Sequence, residues 1–91
     1  MYDKNKIIEI QEKLQEVING KAFNEEQIYV IKRGLEAGLV VHIYAKPEFN
    51  WRQMKEIRLG LESSLDVSSY TNPKLNWDQM REIRLSLGGV R

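Results

Sequence analysis

The chain has 91 residues and a mass of 10.7 kDa, enough for one modest hydrophobic core and not for two. It has no cysteine and 1 histidine, which excludes disulfides, zinc–thiolate centres, thiol nucleophiles and clustered imidazoles. With 14 Lys and Arg against 13 Asp and Glu, the net charge of +1 supplies no single-sign field to hold nucleic acid or an acidic membrane. The sequence shows neither a basic-then-apolar leader nor a membrane-length apolar run, so the expectation is a soluble, cytoplasmic, single-domain protein with no cofactor and no membrane partner.

In chain order, the first predicted element is a capping helix near residues 3–19, within an N-terminal segment 1–22. Ile7, Ile10, Leu14 and Val17 follow one another at helical spacing, and Gly20 stands beyond them. From Phe23 onward the chain repeats itself with a period of 26, giving repeat 1 over 23–48, repeat 2 over 49–74 and a truncated repeat 3 over 75–91. Repeats 1 and 2 share 11 of 26 positions, among them Phe23/Phe49, Asn24/Asn50, Gln27/Gln53, Gly34/Gly60, Tyr44/Tyr70 and Pro47/Pro73. Repeat 3 matches repeat 2 at 9 of 17 positions, where chance supplies about one or two.

Every repeat opens with the same helix-start signal. Asn24, Asn50 and Asn76 are predicted N-caps, and Gln27, Gln53 and Gln79 complete a capping box three residues later. Phe23, Phe49 and Leu75 before the caps stand at staple spacing from Ile28, Met54 and Met80. Helices are therefore expected at 24–37, 50–63 and 76–87. Gly38 has the place of a left-handed residue after the first, Ser64 occupies that place with a steric penalty, and Gly88-Gly89 closes the third. Val41–Tyr44 and Val67–Tyr70 are predicted to form short helical turns, ended by Pro47 and Pro73.

These elements give an all-α fold: a short helical-repeat stack of four main helices plus connecting helical turns, each unit burying its face against the next. Met54, Ile57, Leu61 and Leu65 form the expected core stripe, with Trp51 and Arg58 on its flank. Gly34 and Gly60 mark an expected close backbone approach to a neighbouring helix.

The pattern Asn/Asp-x-x-Gln-Met-x-Glu-Ile-Arg-x-Gly-Leu-Glu-x-Gly-Leu-Asp-Val-Ser-x-Tyr-x-x-Pro, carried best by Asn50 to Pro73, resembles a short helical repeat common in uncharacterised proteins of Gram-positive gut bacteria and their mobile elements. The resemblance spans about three quarters of the chain. It implies a helical architecture and mobile-element company, and it implies no catalytic role. Repeat 1 departs from the pattern at Val40, His42 and Ile43, where repeat 2 has Asp66, Ser68 and Ser69, so its connecting turn is expected to be capped differently.

The residues that carry chemistry are few. His42 lies among Val40, Val41 and Ile43, where a neutral imidazole, hydrogen-bonded or half-buried, is expected. Ser63, Ser64, Ser68, Ser69 and Thr71 lack any nucleophile-elbow or phosphate-loop context and read as turn and cap residues. Glu36/Glu62 and Glu56/Glu82 are repeat equivalents expected on solvated faces. Lys32, Arg58 and Arg84 return in every repeat, seven residues after Trp51 and Trp77 in the last two. They are expected to stack on indole or pair with an acid such as Asp66, or else to form a ladder offered to a partner.

With Arg52, Lys55, Leu59, Arg81 and Leu85, these residues define a candidate partner-binding surface: Trp51, Arg52, Lys55, Arg58, Leu59, Trp77, Arg81, Arg84 and Leu85. The expected function is non-enzymatic: an adaptor or inhibitor docking on a protein or protein–nucleic-acid complex. By analogy with small mobile-element proteins, an inhibitor of host defence of the anti-CRISPR type is its concrete form. Direct nucleic-acid binding through the Arg/Lys/Trp face and homodimerisation through the apolar end of repeat 3 are the alternatives.

Overall fold

Three copies of one start signal open three helices with the same capping box. The computed structural model of the protein describes residues 4–89 and is all-α. Its helices are α1 (Lys4–Ile18), α2 (Glu25–Glu36), α3 (Trp51–Glu62) and α4 (Trp77–Ser86), with 3₁₀ turns at Val41–Ile43 and Val67–Ser69. The predicted helices agree to within a residue or two. Asp3 at the predicted start of α1, and Val90 and Arg91 of repeat 3, lie outside the described residues. In each repeat the cap Asn Oδ1 accepts the backbone N–H of the Gln, and the Gln Oε1 accepts the N–H of the Asn, all at 2.8 to 2.9 Å.

All three repeat helices end in a Schellman motif. Leu39, Leu65 and Gly89 donate their N–H to the carbonyls of Gly34, Gly60 and Arg84, each at 2.9 Å. The residue before each lies in the left-handed region: Gly38 at φ +74°, Ser64 at +58° and Gly88 at +104°. Ser64 alone carries a Cβ there, at a cost of about 1 kcal/mol. Ser64→Gly is therefore expected to raise stability by about 0.5–1 kcal/mol, seen in urea unfolding as a higher midpoint at an unchanged slope.

The repeats are joined by the same glutamines that cap them. Gln27 Nε2 donates to the carbonyls of Phe49 (2.6 Å) and Pro47 (3.4 Å), and Gln53 Nε2 donates to those of Leu75 (2.7 Å) and Pro73 (3.1 Å). One amide thus satisfies its own helix start and the chain entering the next helix, which is why Gln27 and Gln53 are buried while Gln79 is exposed. Gln53→Ala is expected to cost about 2–3 kcal/mol against about 1 kcal/mol for Gln79→Ala, because the second removes only the capping box. Thermal unfolding of the two variants separates the inter-repeat bonds from the cap.

Helix contacts run between chain neighbours: α1 on α2, α2 on α3 and α3 on α4, with each 3₁₀ turn against the helix before it. The chain exposes 6125 Å², above the roughly 5,500 Å² of a compact protein of this mass, and its extents of 39 × 29 × 18 Å are those of a flattened stack. One apolar cluster passes through all the units, from Val17 through Val30, Ile31, Val41, Tyr44 and Phe49 to Met54, Ile57, Val67, Tyr70 and Met80. In α1 only the C-terminal half joins it. Val17 is buried and Leu14 and Ile18 pack beside it, whereas Ile7 is 40% exposed.

Two expectations about the repeat helix need correction. The core stripe holds at Met54 and Ile57, but Leu61 and Leu65 are only half-buried, and the buried arc turns toward Gln53, Glu56 and Gly60. A helix packed against both neighbours has two buried flanks. The small residue at Gly34 and Gly60 makes room for a tyrosine of its own connector, not for another helix. A Cβ would stand 2.1 Å from Tyr44 Oη at Gly34 and 2.0 Å from Tyr70 Oη at Gly60.

Those phenols donate to the carbonyls of Val30 and Glu56 at 2.8 Å, pinning each connector onto its helix. Burial, partly offset by Arg84, pushes the Tyr70 phenol from 10.0 up to about 12; burial, partly offset by Arg58, raises Tyr44 as well. The folded state thus holds its phenolic protons more tightly than the unfolded chain does. That stability is complete below pH 10.0 and is lost as pH climbs toward about 12, which an alkaline series of urea midpoints will register.

The connectors differ as expected. Asp66 Oδ1 accepts the Ser68 N–H at 3.1 Å and its hydroxyl at 2.6 Å, whereas Val40 provides no side-chain cap. The two bonds from Ser68 hold the Asp66 carboxyl below its usual range. The Thr71 hydroxyl donates to the Val67 carbonyl at 2.7 Å, the turn role expected of it, and the Ser86 hydroxyl donates to the Ile83 carbonyl at 2.8 Å. Among the described residues no helix is long and apolar enough to cross a membrane.

Candidate functional site

Stacking equivalent helices leaves two equivalent grooves. The α2/α3 groove is lined by Glu25, Glu26, Tyr29, Val30, Arg33, Trp51, Lys55 and Arg58, with a volume of about 490 Å³. The α3/α4 groove, about 300 Å³, is lined by Trp51, Arg52, Lys55, Glu56 and Trp77. Moving Trp51, Lys55 and Arg58 forward by one period gives Trp77, Arg81 and Arg84, and moving Glu26, Tyr29 and Val30 gives Arg52, Lys55 and Glu56. Four of the predicted surface residues, Trp51, Arg52, Lys55 and Trp77, therefore meet in one place, and Arg58 lies in the neighbouring groove.

The indoles come together because each Trp occupies the first turn of its helix, directly after the Asn cap. Between them lies Arg52, whose guanidinium carbon is 5.2 Å from the Trp51 ring centroid and 5.5 Å from that of Trp77. Such a double cation–π contact at a partly wet site is worth about 1–2 kcal/mol. The stacking cation is thus Arg52, not Arg58 or Arg84. A first-turn side chain points back over the helix start, where the neighbouring Trp lies, while positions 58 and 84 sit two turns deeper. Lys55 is exposed, and Leu59, Arg81 and Leu85 are half-buried.

Arg84 pairs with an acid, one of the roles expected of it, but the acid is Glu56 and not Asp66, and the residue is thereby withdrawn from the candidate surface. Its side chain is 4% exposed and its Nε donates to Glu56 Oε1 at 2.9 Å, with Glu56 itself 7% exposed. Glu56, expected on a solvated face, is therefore the buried acid that ties α3 to α4, while its repeat equivalent Glu82 is exposed. Asp66 takes no part, being held by Ser68.

Arg58 has the same register as Arg84 but a different neighbour. Position 30, which corresponds to Glu56, holds Val30, so the acid that meets Arg84 has no counterpart at that register opposite Arg58. The guanidinium turns to Glu62 one turn along its own helix, and its Nε stays buried without an acceptor. Lys32, the third member of this register, is exposed.

Sequence reasoning missed Tyr29 and Arg33. Tyr29 is 62% exposed beside Trp51 and Arg58, and its repeat equivalent is Lys55 rather than another aromatic residue, so no recurrence drew attention to it. His42, expected hydrogen-bonded or half-buried, is exposed on the first connector. Leu87, at the end of the stack proposed for homodimerisation, is 42% exposed. Among the described residues no group of three His, Cys, Asp or Glu could hold a metal ion. No family model matches the chain, and neither does any curated protein or solved structure.

Proposed function

We propose that the chain is a non-enzymatic binding module, an adaptor or an occluding inhibitor, that docks on a partner protein through the face over its inter-repeat grooves. The observation that supports this most is Arg52 between Trp51 and Trp77, at 5.2 and 5.5 Å from their centroids. Trp and Arg presented together, preorganised by mutual stacking and flanked by Lys55, have the composition of an interface hot spot. The core does not depend on Arg52 or Lys55, both of which are exposed.

Arg52→Glu combined with Lys55→Glu is expected to preserve the helical circular dichroism and to lose a partner that the unaltered chain retains from lysate of its native host. A partner retained equally by both forms, or none retained by either, would remove the reading. Two indoles that share Arg52, with Lys55 in the same groove, also favour a second reading, single-strand nucleic-acid binding. That reading requires affinity for an oligonucleotide that falls steeply with salt, as released counterions demand.

A further inference from the structure

We propose that the α2/α3 groove is a receptor for a carboxylate of a partner protein, an Asp or Glu side chain beside an apolar residue, which takes on Arg58 the place that Glu56 takes on Arg84. The protein carries its own template for the complex. In the α3/α4 groove the acid is built in, Glu56 Oε1 accepting from Arg84 Nε at 2.9 Å with both side chains buried. In the α2/α3 groove the same register holds Val30, and Arg58 Nε, the donor used in the template, is buried with no acceptor. A buried guanidinium N–H without a partner is costly, so an acceptor that reaches it gains more than one meeting a solvated cation.

The free space agrees with this assignment. The groove without the acid has about 490 Å³ against about 300 Å³ for the groove that contains it, room for a carboxylate together with a neighbouring side chain. Tyr29 and Trp51 give that neighbour an aromatic wall, and Arg33 and Lys55 add positive charge. Glu25 and Glu26 line the same groove and repel any anion, a continuous run of phosphates more than a single carboxylate. This inference rests on the binding-module reading for its partner, but the chemistry of the groove is tested with peptides alone. Failure of the groove therefore leaves the Arg52 surface standing, and failure of partner capture leaves the groove standing.

The test is a titration of the full ¹⁵N-labelled chain with acetyl-Leu-Glu-amide, with neutral acetyl-Leu-Gln-amide and with inorganic phosphate, all at one ionic strength. The Glu peptide is expected to shift the Arg58 Nε–H and Trp51 indole resonances saturably, with Arg84 Nε–H unmoved and half-saturation by the Gln peptide roughly tenfold higher. Arg58→Lys keeps the charge but not the guanidinium fork and is expected to weaken the Glu peptide roughly tenfold. Val30→Glu supplies the acid in cis and is expected to abolish binding. If that variant does not fold, Arg58→Lys decides alone. No saturable shift, equal binding of the two peptides, indifference to Arg58→Lys, or a response to phosphate but not to carboxylate would overturn the proposal.

Discussion

Replacing Glu56 with Ala will destabilise the protein by about 3–5 kcal/mol, the cost of taking a buried acid away from the buried guanidinium it meets. A domain of this length has roughly 5–10 kcal/mol in all, so the variant will be close to unfolding at room temperature. The loss comes from Arg84, which has 4% exposure and cannot reach water without dragging α4 from α3. The register of repeat 1 indicates how to rescue it, since Val30 occupies the equivalent place within an intact core. Glu56→Val with Arg84→Leu is expected to recover all but about 1–2 kcal/mol, because an apolar pair of similar volume removes both desolvation penalties at once. Urea midpoints of the single and double variants provide the check. A single variant within about 1 kcal/mol of the parent would mean that the pair is solvated after all.

Gly60→Ala gives the second large effect, and its sign opposes helix propensity. In an exposed helix the change would stabilise by about 1 kcal/mol. Here the new Cβ would stand 2.0 Å from Tyr70 Oη and 2.7 Å from Val67 Cγ1, both on a connector fixed by the phenol's bond to the Glu56 carbonyl. Overpacking of this kind costs about 3 kcal/mol. Removing the hydroxyl relieves the closest contact and leaves Val67 Cγ1 at 2.7 Å and the ring carbon Cζ at 3.2 Å. Tyr70→Phe alone should cost about 1 kcal/mol, and in its background Gly60→Ala should lose roughly half its effect. Additive effects in thermal unfolding would place the tyrosine elsewhere.

What could be read from the sequence was local. Asn24, Asn50 and Asn76 with their glutamines, and Gly38 and Ser64 at the left-handed positions, act within a few residues of themselves, so helix starts, helix ends and connector turns followed from short-range rules. What could not be read was which faces meet across the period. Glu56 and Arg84 are 28 residues apart, and a helical wheel gives no reason to bury either. The signal was nevertheless present. The difference between Val30 and Glu56 acquires meaning once position 30 of one repeat is set against position 58 of the next, which only the stacking geometry supplies. The same holds for Arg52, whose two indoles belong to successive repeats. Gly60 illustrates the converse, since its recurrence correctly signalled a close approach, but the approaching group is a side chain ten residues further along.

If the two grooves are one interface with and without its acid, positions 30 and 58 must be coupled, and a double-mutant cycle between them measures that coupling. Val30→Glu is to be measured by urea unfolding in the parent chain and in an Arg58→Leu background. A favourable coupling of about 2–3 kcal/mol is expected, the buried carboxylate being tolerated only where the Arg58 guanidinium receives it. Equal destabilisation in the two backgrounds would contradict it.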